Sequence, residues 1–176
     1  IHTILKTMKS NLTNEQVAER LQKQFGEHIK SVETPYDFLT IEVDAAKLYD
    51  IIFWLKTDSE LQISFLTNLG GVHYPDSEGR EFAIVYHLQS MVNNFRLRLK
   101  AFVSKENTEV DSIVDIYAGA NWMERETFDF YGITFNGHPD MRRILNEDSM
   151  DYFPMRKEYH LEDATREDKD DRFFGR

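Results

Sequence analysis

Apolar residues in the stretch 13–26 recur at helical spacing, with Val17, Leu21 and Phe25 forming one stripe. Thr13 with Gln16 makes a capping box, Leu12 and Val17 stand at the staple positions, and Gly26 supplies a stop. The period then drops to two. In "DFLTIEV", residues 37–43, Leu39, Ile41 and Val43 share one face of a short strand. Asp44 caps a second helix, in which Leu48, Ile51, Ile52 and Leu55 keep i, i+3, i+4, i+7 spacing. Phe53 and Trp54 beside that stripe read as packing residues. Three strands follow, at 61–69 running to Gly70-Gly71, at 81–90 after the turn-rich "PDSEGR", and at 93–103. In the last, Phe95, Leu97, Leu99 and Ala101 alternate with Arg96, Arg98 and Lys100. That alternation predicts a half-buried antiparallel strand with a basic outer face. The face reads as solvated, with the docking of an acidic partner as the other reading.

Residues 109–132 return to helical spacing, with a break at Gly119, a cap at Asp111 or Ser112 and a stop at Gly132. Beyond Gly132 the periodicity fades, and so long an irregular stretch is uncommon inside a compact domain. The order of elements contains no regular βαβ units. It predicts an α+β fold: a mixed, mostly antiparallel sheet with helices packed on one face, plus an extended C-terminal arm. The domain takes residues 1–132 and the arm residues 133–176, docking on a partner. Removal of the arm from residue 140 onward is expected to leave a folded domain that cannot assemble.

Composition narrows the chemistry. The chain has 176 residues, 41% of them hydrophobic, which suffices for one core. A formal net charge of -10 argues against nucleic-acid binding, which needs clustered Lys and Arg. There is no cysteine, so no disulfide, thiolate zinc site, cysteine nucleophile or cysteine-held iron–sulfur cluster can be built from this chain. No apolar run approaches the ~20 residues of a membrane-spanning helix. The opening "IHTILKTMKS" has too short an apolar segment for a signal peptide.

Charges and aromatics concentrate in "NWMERETFDFYGITFNGHPDMRRIL", residues 121–145. Paired carboxylates there would suggest acid–base catalysis. Around a helix, however, Glu124 and Glu126 stand ~200° apart and cannot converge on one atom. Arg125 and Asp129 are spaced to pair, and Arg125 would keep the flanking carboxylates ionised, the opposite of a general acid. No His pair has metal-ligand spacing, and no phosphate-binding glycine loop or nucleophile elbow is present. Without catalytic candidates, the stretch reads as a brace and an interface. Gly132 and Gly137 permit unusual backbone angles, while Pro139 and Pro154 stiffen the chain. Arg142, Arg143 and Arg156 can grip carboxylates, and Phe128, Phe130, Tyr131 and Phe135 supply apolar anchors.

The run Glu124-Arg125-Glu126, Asp129, Gly132, Phe135, His138-Pro139 and Arg143-Ile144-Leu145 resembles the signature of the 30 kDa subunit, also called the C subunit, of respiratory complex I, NADH:quinone oxidoreductase. "PMRKEY", residues 154–159, is similar to that family's Pro-Leu-Arg-Lys-Asp-Tyr segment, departing from it at Met155 and Glu158. The resemblance implies a cofactor-free structural subunit of the peripheral arm. Iron–sulfur clusters, FMN and quinone would belong to partner subunits. Those partners would be the quinone-site (D) subunit and the B, I and G iron–sulfur subunits. It further implies attachment to the cytoplasmic side of a bacterial inner membrane only through the complex, and a form not fused to the quinone-site subunit. Arg142, Arg143 and Arg156 would make charge-assisted contacts across the interface or within the arm, while Glu124, Arg125, Glu126 and Asp129 brace it. Two alternatives stand beside this: a homologous accessory subunit of a membrane-bound hydrogenase or related dehydrogenase, and a stand-alone carboxylate enzyme.

Overall fold

A computed structural model of the chain describes residues 12–159. The N-terminal stretch read as lacking a signal peptide and the end of the arm lie outside the described residues. Helix α1 (Asn14–Phe25) starts at the expected box: Gln16 N–H donates to Thr13 Oγ1 (3.3 Å) and Thr13 N–H to Gln16 Oε1 (3.0 Å). Its Val17 and Leu21 are fully buried, and Gly26 ends it at φ 48°. Strand β1 (Ile29–Glu33) follows and pairs antiparallel with β2 (Leu39–Val43). Sequence spacing gave no sign of β1, because an edge strand without a fully buried residue leaves no alternation to read.

Asp44 caps as expected, but through a short 3-10 turn at Ala45–Lys47 that leads into α2 (Leu48–Thr57). Leu48, Ile51, Ile52 and Leu55 are all inaccessible to solvent. Each such burial contributes roughly 1.5–3 kcal/mol. Strand β3 (Phe65–His73) begins later than its pattern suggested; Leu61 and Ile63 are core residues of the preceding turn. Strands β4 (Phe82–Ser90) and β5 (Phe95–Val103) complete a five-stranded sheet in the order β1-β2-β5-β4-β3. All neighbours are antiparallel except β2 and β5, which run parallel at the centre. The chain has thus left β2, crossed through α2 and the β3–β4 hairpin, and returned to lie beside it.

Residues 109–132 differ from the continuous helical pattern. Their start forms β6 (Glu109–Asp111), which pairs parallel with β7 (Thr134–Asn136) in a small second sheet. Helix α3 spans only Ala120–Tyr131, and its N-cap, Gly119, provides no side-chain cap. Asp111 and Ser112 therefore do not cap α3; Ser112 Oγ accepts from the Val114 amide (3.3 Å) in the turn before it. Strands of three residues are too short for a period of two to register, and the helix dominated the window. Helix α3 packs on β3 where Gly71 leaves room: a Cβ there would lie 2.6 Å from the Tyr131 ring and 3.1 Å from Thr127. All three helices pack toward the same side of the large sheet, where the one core cluster lies.

Candidate functional site

Helix α3 carries charge on its buried faces. Ala120, Glu124 and Thr127 lie on one stripe, Arg125 and Asp129 on the next, and all five are buried. Glu126 is exposed. The two glutamates therefore diverge, Glu124 into the protein and Glu126 into solvent, and no paired-carboxylate site forms.

Asp129 is completely buried and does not pair with Arg125. Its Oδ2 accepts hydrogen bonds from the amides of Ile144 (3.1 Å), Leu145 (2.8 Å) and Asn146 (2.9 Å), and its Oδ1 from Arg143 Nη1 (2.7 Å). Burial disfavours the charge, but the Asn146, Leu145 and Ile144 amides with Arg143 outweigh it and hold this carboxyl far below the usual range. Pairing within the helix lost because Arg143 and three backbone amides meet the buried carboxylate from the facing segment, and each hydrogen bond to a charged group contributes about 1.5–3 kcal/mol.

The rest of the signature extends this node. Arg143 also donates to the carbonyls of Asp129 (3.0 Å), Met150 (2.8 Å) and Tyr152 (2.9 Å) and stacks over Phe153. Arg125 donates to the carbonyls of Arg142 (3.1 Å) and Arg143 (2.9 Å), lies near Asp140, and sits over the exposed Trp122. Arg156 donates to the Tyr131 carbonyl (2.8 Å), an end group of α3, and lies between Phe82 and Phe153. Gly132 ends α3 in the left-handed region, φ 74°, and a Cβ there would meet Phe153 at 2.5 Å and Arg156 at 2.6 Å. Phe135 is buried in β7. His138 Nδ1 accepts from the Asp140 amide (3.0 Å), so the proton sits on Nε2, facing the Asn121 carbonyl at 3.1 Å. Pro139 is exposed beside it, and Arg142 reaches only Asp140, with its side chain 70% exposed.

Glu124 departs from its expected behaviour. It accepts from Ser112 Oγ (2.6 Å) and the Ile113 amide (2.8 Å). Burial pushes its pKa up to about 7, against the pull of those two donors and with Asp115 adding to the rise. Arg125 does not keep it ionised, because the guanidinium turns to the 142–143 carbonyls instead.

Sequence spacing missed Ser112, the amides of 144–146, Phe153 and His73, whose Nδ1 accepts from the Lys157 amide (2.9 Å). The amides of 144–146 leave no residue-type signal, and by spacing Ser112 reads only as a helix cap. Together these contacts fasten residues 140–157 onto α3, β3 and β4. The fastened segment presents large apolar side chains outward: Leu145 64%, Met155 43%, Tyr159 41% and Tyr152 39% exposed, with Trp122 at 64% on α3. Asp129 is fully buried and accepts four hydrogen bonds, three at Oδ2 and one at Oδ1. Among the described residues, no three His, Asp or Glu side chains cluster as metal ligands.

The family profile described as respiratory-chain NADH dehydrogenase, 30 Kd subunit, matches residues 41–165. The C subunit of the NADH-quinone oxidoreductase of Mycolicibacterium paratuberculosis is 41% identical over 138 residues, 78% of this chain and 59% of that protein. The chain thus spans about three fifths of that relative's length. The trypsin-resistant fragment of Nqo5 superposes with a TM-score of 0.63 at 26% identity, over 72% of this chain and 97% of the fragment. A chain of the membrane-bound sulfane sulfur reductase, an archaeal respiratory membrane complex, gives a TM-score of 0.69 at 21% identity, over 84% of this chain and 85% of that one, a likeness of fold. With the family profile matching residues 41–165, most of the sequence, the chain belongs to the family of the 30 kDa subunit of respiratory-chain NADH dehydrogenase.

Proposed function

We propose that this chain is a structural subunit of the peripheral arm of an NADH:quinone oxidoreductase and holds redox subunits in place without chemistry of its own. The observation that carries the proposal is the fastened segment 140–159. Asp129, Arg125 and Arg143 turn their polar groups inward on the segment's backbone and Arg156 on the Tyr131 carbonyl of α3, while Leu145, Tyr152, Met155 and Tyr159 face out. Large apolar side chains presented on a fixed loop are what a permanent protein interface buries, with exposed Arg142 at its rim. The platform includes β7 and the fastened segment 140–157, and the outward side chains of that segment meet the partners.

Those partners are the quinone-site (D) subunit and the B, I and G iron–sulfur subunits. They hold the iron–sulfur clusters, FMN and quinone, and electron transfer from NADH to quinone, coupled to ion translocation, proceeds through them. Among the described residues no helix is long and apolar enough to cross a membrane. Attachment to the cytoplasmic face of a bacterial inner membrane is then through the complex. A tagged chain is expected to co-purify with iron–sulfur and quinone-site subunits. Leu145→Asp with Tyr152→Ser should abolish that recovery while the chain's own melting transition stays put, since both side chains are exposed. Undiminished recovery of the partners with the double variant would contradict the proposal. Recovery with a hydrogenase-type large subunit would move the chain to a different assembly.

A further inference from the structure

Among the described residues no helix covers the other side of the five-stranded sheet; Phe38 and Arg80 lie over its His87 and Phe102, Thr40 and Ala83 are buried, and its charge is sorted. Down β5, Arg96, Arg98 and Lys100 point outward in file, between the buried Phe95, Leu97, Leu99 and Ala101. Across the register, Lys100 stands beside Val85 and Glu42, Arg98 beside His87 and Thr40, and Arg96 beside Gln89. Farther out on β3 come Gly70, Asn68 and Phe65, the last 49% exposed. Glu42 is engaged by Arg80 at 2.8 Å. Among the described residues, no carboxylate pairs with Arg96, Arg98 or Lys100. Arg98 is held in place: its Nε donates to His87 Nε2 (3.0 Å) and its guanidinium lies 4.9 Å over Phe38. His87, accepting that bond and kept below its usual pKa by burial and by Arg98, stays neutral beside the file.

We propose that this sheet face, with Arg96, Arg98 and Lys100 in file, is a second docking surface that receives an acidic face of a neighbouring polypeptide. It rests on the assembly role proposed above and adds a surface on the far side of the sheet from α3. Charge complementarity selects the occupant. In a chain of net charge -10, three cations on one strand have no carboxylate partner among the described residues, and they stand about 6.8 Å apart, the spacing of alternate residues on an extended acidic segment. Size agrees. Three strands about 30 Å long and two about 17 Å long, about 4.8 Å apart, give roughly 600 Å², near the ~800 Å² one partner contributes to a standard interface. A nucleic acid or an anionic bilayer fits less well. Specific phosphate-backbone binding uses about 6–10 contacts, and the surplus acids lie within a few Debye lengths of ~8 Å.

The test is carbodiimide cross-linking of the intact assembly, with mass spectrometry to locate the partner of Lys100. The expected result is an amide between Lys100 Nζ and an Asp or Glu of another subunit, with amine labelling of Lys100 about tenfold slower than in the free chain, as burial at an interface requires. Arg96→Glu with Lys100→Glu should lose the assembly in a salt wash that Lys23→Glu, on the opposite side, survives. Equal labelling of Lys100 in both states overturns the inference. So do cross-links only to residues 160–176 of the same chain or to a second copy, or protection by phosphatidylglycerol vesicles alone. If partners co-purify while Lys100 stays reactive, this surface fails alone. A chain recovered without partners overturns both readings.

Discussion

Glu124 and Asp129 sit on one helix, both shielded from water, and their surroundings push them in opposite directions. Glu124 has two neutral donors and an acidic neighbour, so burial wins; Asp129 has three amides and a guanidinium, so the charge wins. Spacing along the sequence located both residues but assigned Asp129 to Arg125. Its true cation, Arg143, is 14 residues away, and the three amides that matter most carry no side-chain signature. Glu124 makes a measurable prediction. Its folded pKa, about 7, exceeds the ordinary 4.5, so the folded state binds its proton more tightly. The stability it contributes is present below the ordinary value and is lost as pH rises toward about 7, by an amount on the order of 3 kcal/mol at most. Glu124→Gln preserves the acceptor for Ile113 and removes the titration. Urea midpoints of the parent should fall relative to those of the variant over that window. A parent midpoint that rises relative to the variant's would contradict the assignment.

At the scale of elements, α1, α2, β2, β4 and β5 were legible because each buries one regular stripe against the core. The elements that escaped are those whose partners are not periodic: β1 at the edge, three-residue β6 and β7, and the irregular segment after Gly132. That segment lacks periodicity because its order comes from carbonyls and amides meeting Arg125, Asp129, Arg143 and Arg156. Asp129→Asn tests the latch. It leaves Arg143 without its carboxylate and presents an amide N–H₂ toward donors, a change that costs about 3–5 kcal/mol when a buried pair is broken. Hydrogen exchange in residues 143–157 should accelerate together with that of the α3 C-terminus. Acceleration of the segment alone, with α3 unchanged, would mean the two are not one cooperative unit. The same geometry predicts that deletion from residue 140 strips Asp129 of its donors and weakens α3, rather than leaving the domain untouched.

For the whole molecule, the proposed docking face of the sheet and the fastened C-terminal segment lie on different sides of one core. A subunit that binds neighbours on more than one side stiffens an assembly without needing a pocket. The family relationship was legible in the signature residues alone, of which Asp129, Arg143, Ile144 and Leu145 meet in one node; the surfaces proposed to face neighbours were found only from coordinates. The most direct test of the central claim is hydroxyl-radical footprinting of Leu145, Tyr152, Met155, Tyr159 and Trp122, comparing the free chain with the chain in its assembly. These side chains should be readily modified in the free chain and protected severalfold in the assembly, as at a buried interface. Equal modification in both states would show that the exposed apolar segment is not where this subunit grips its partners.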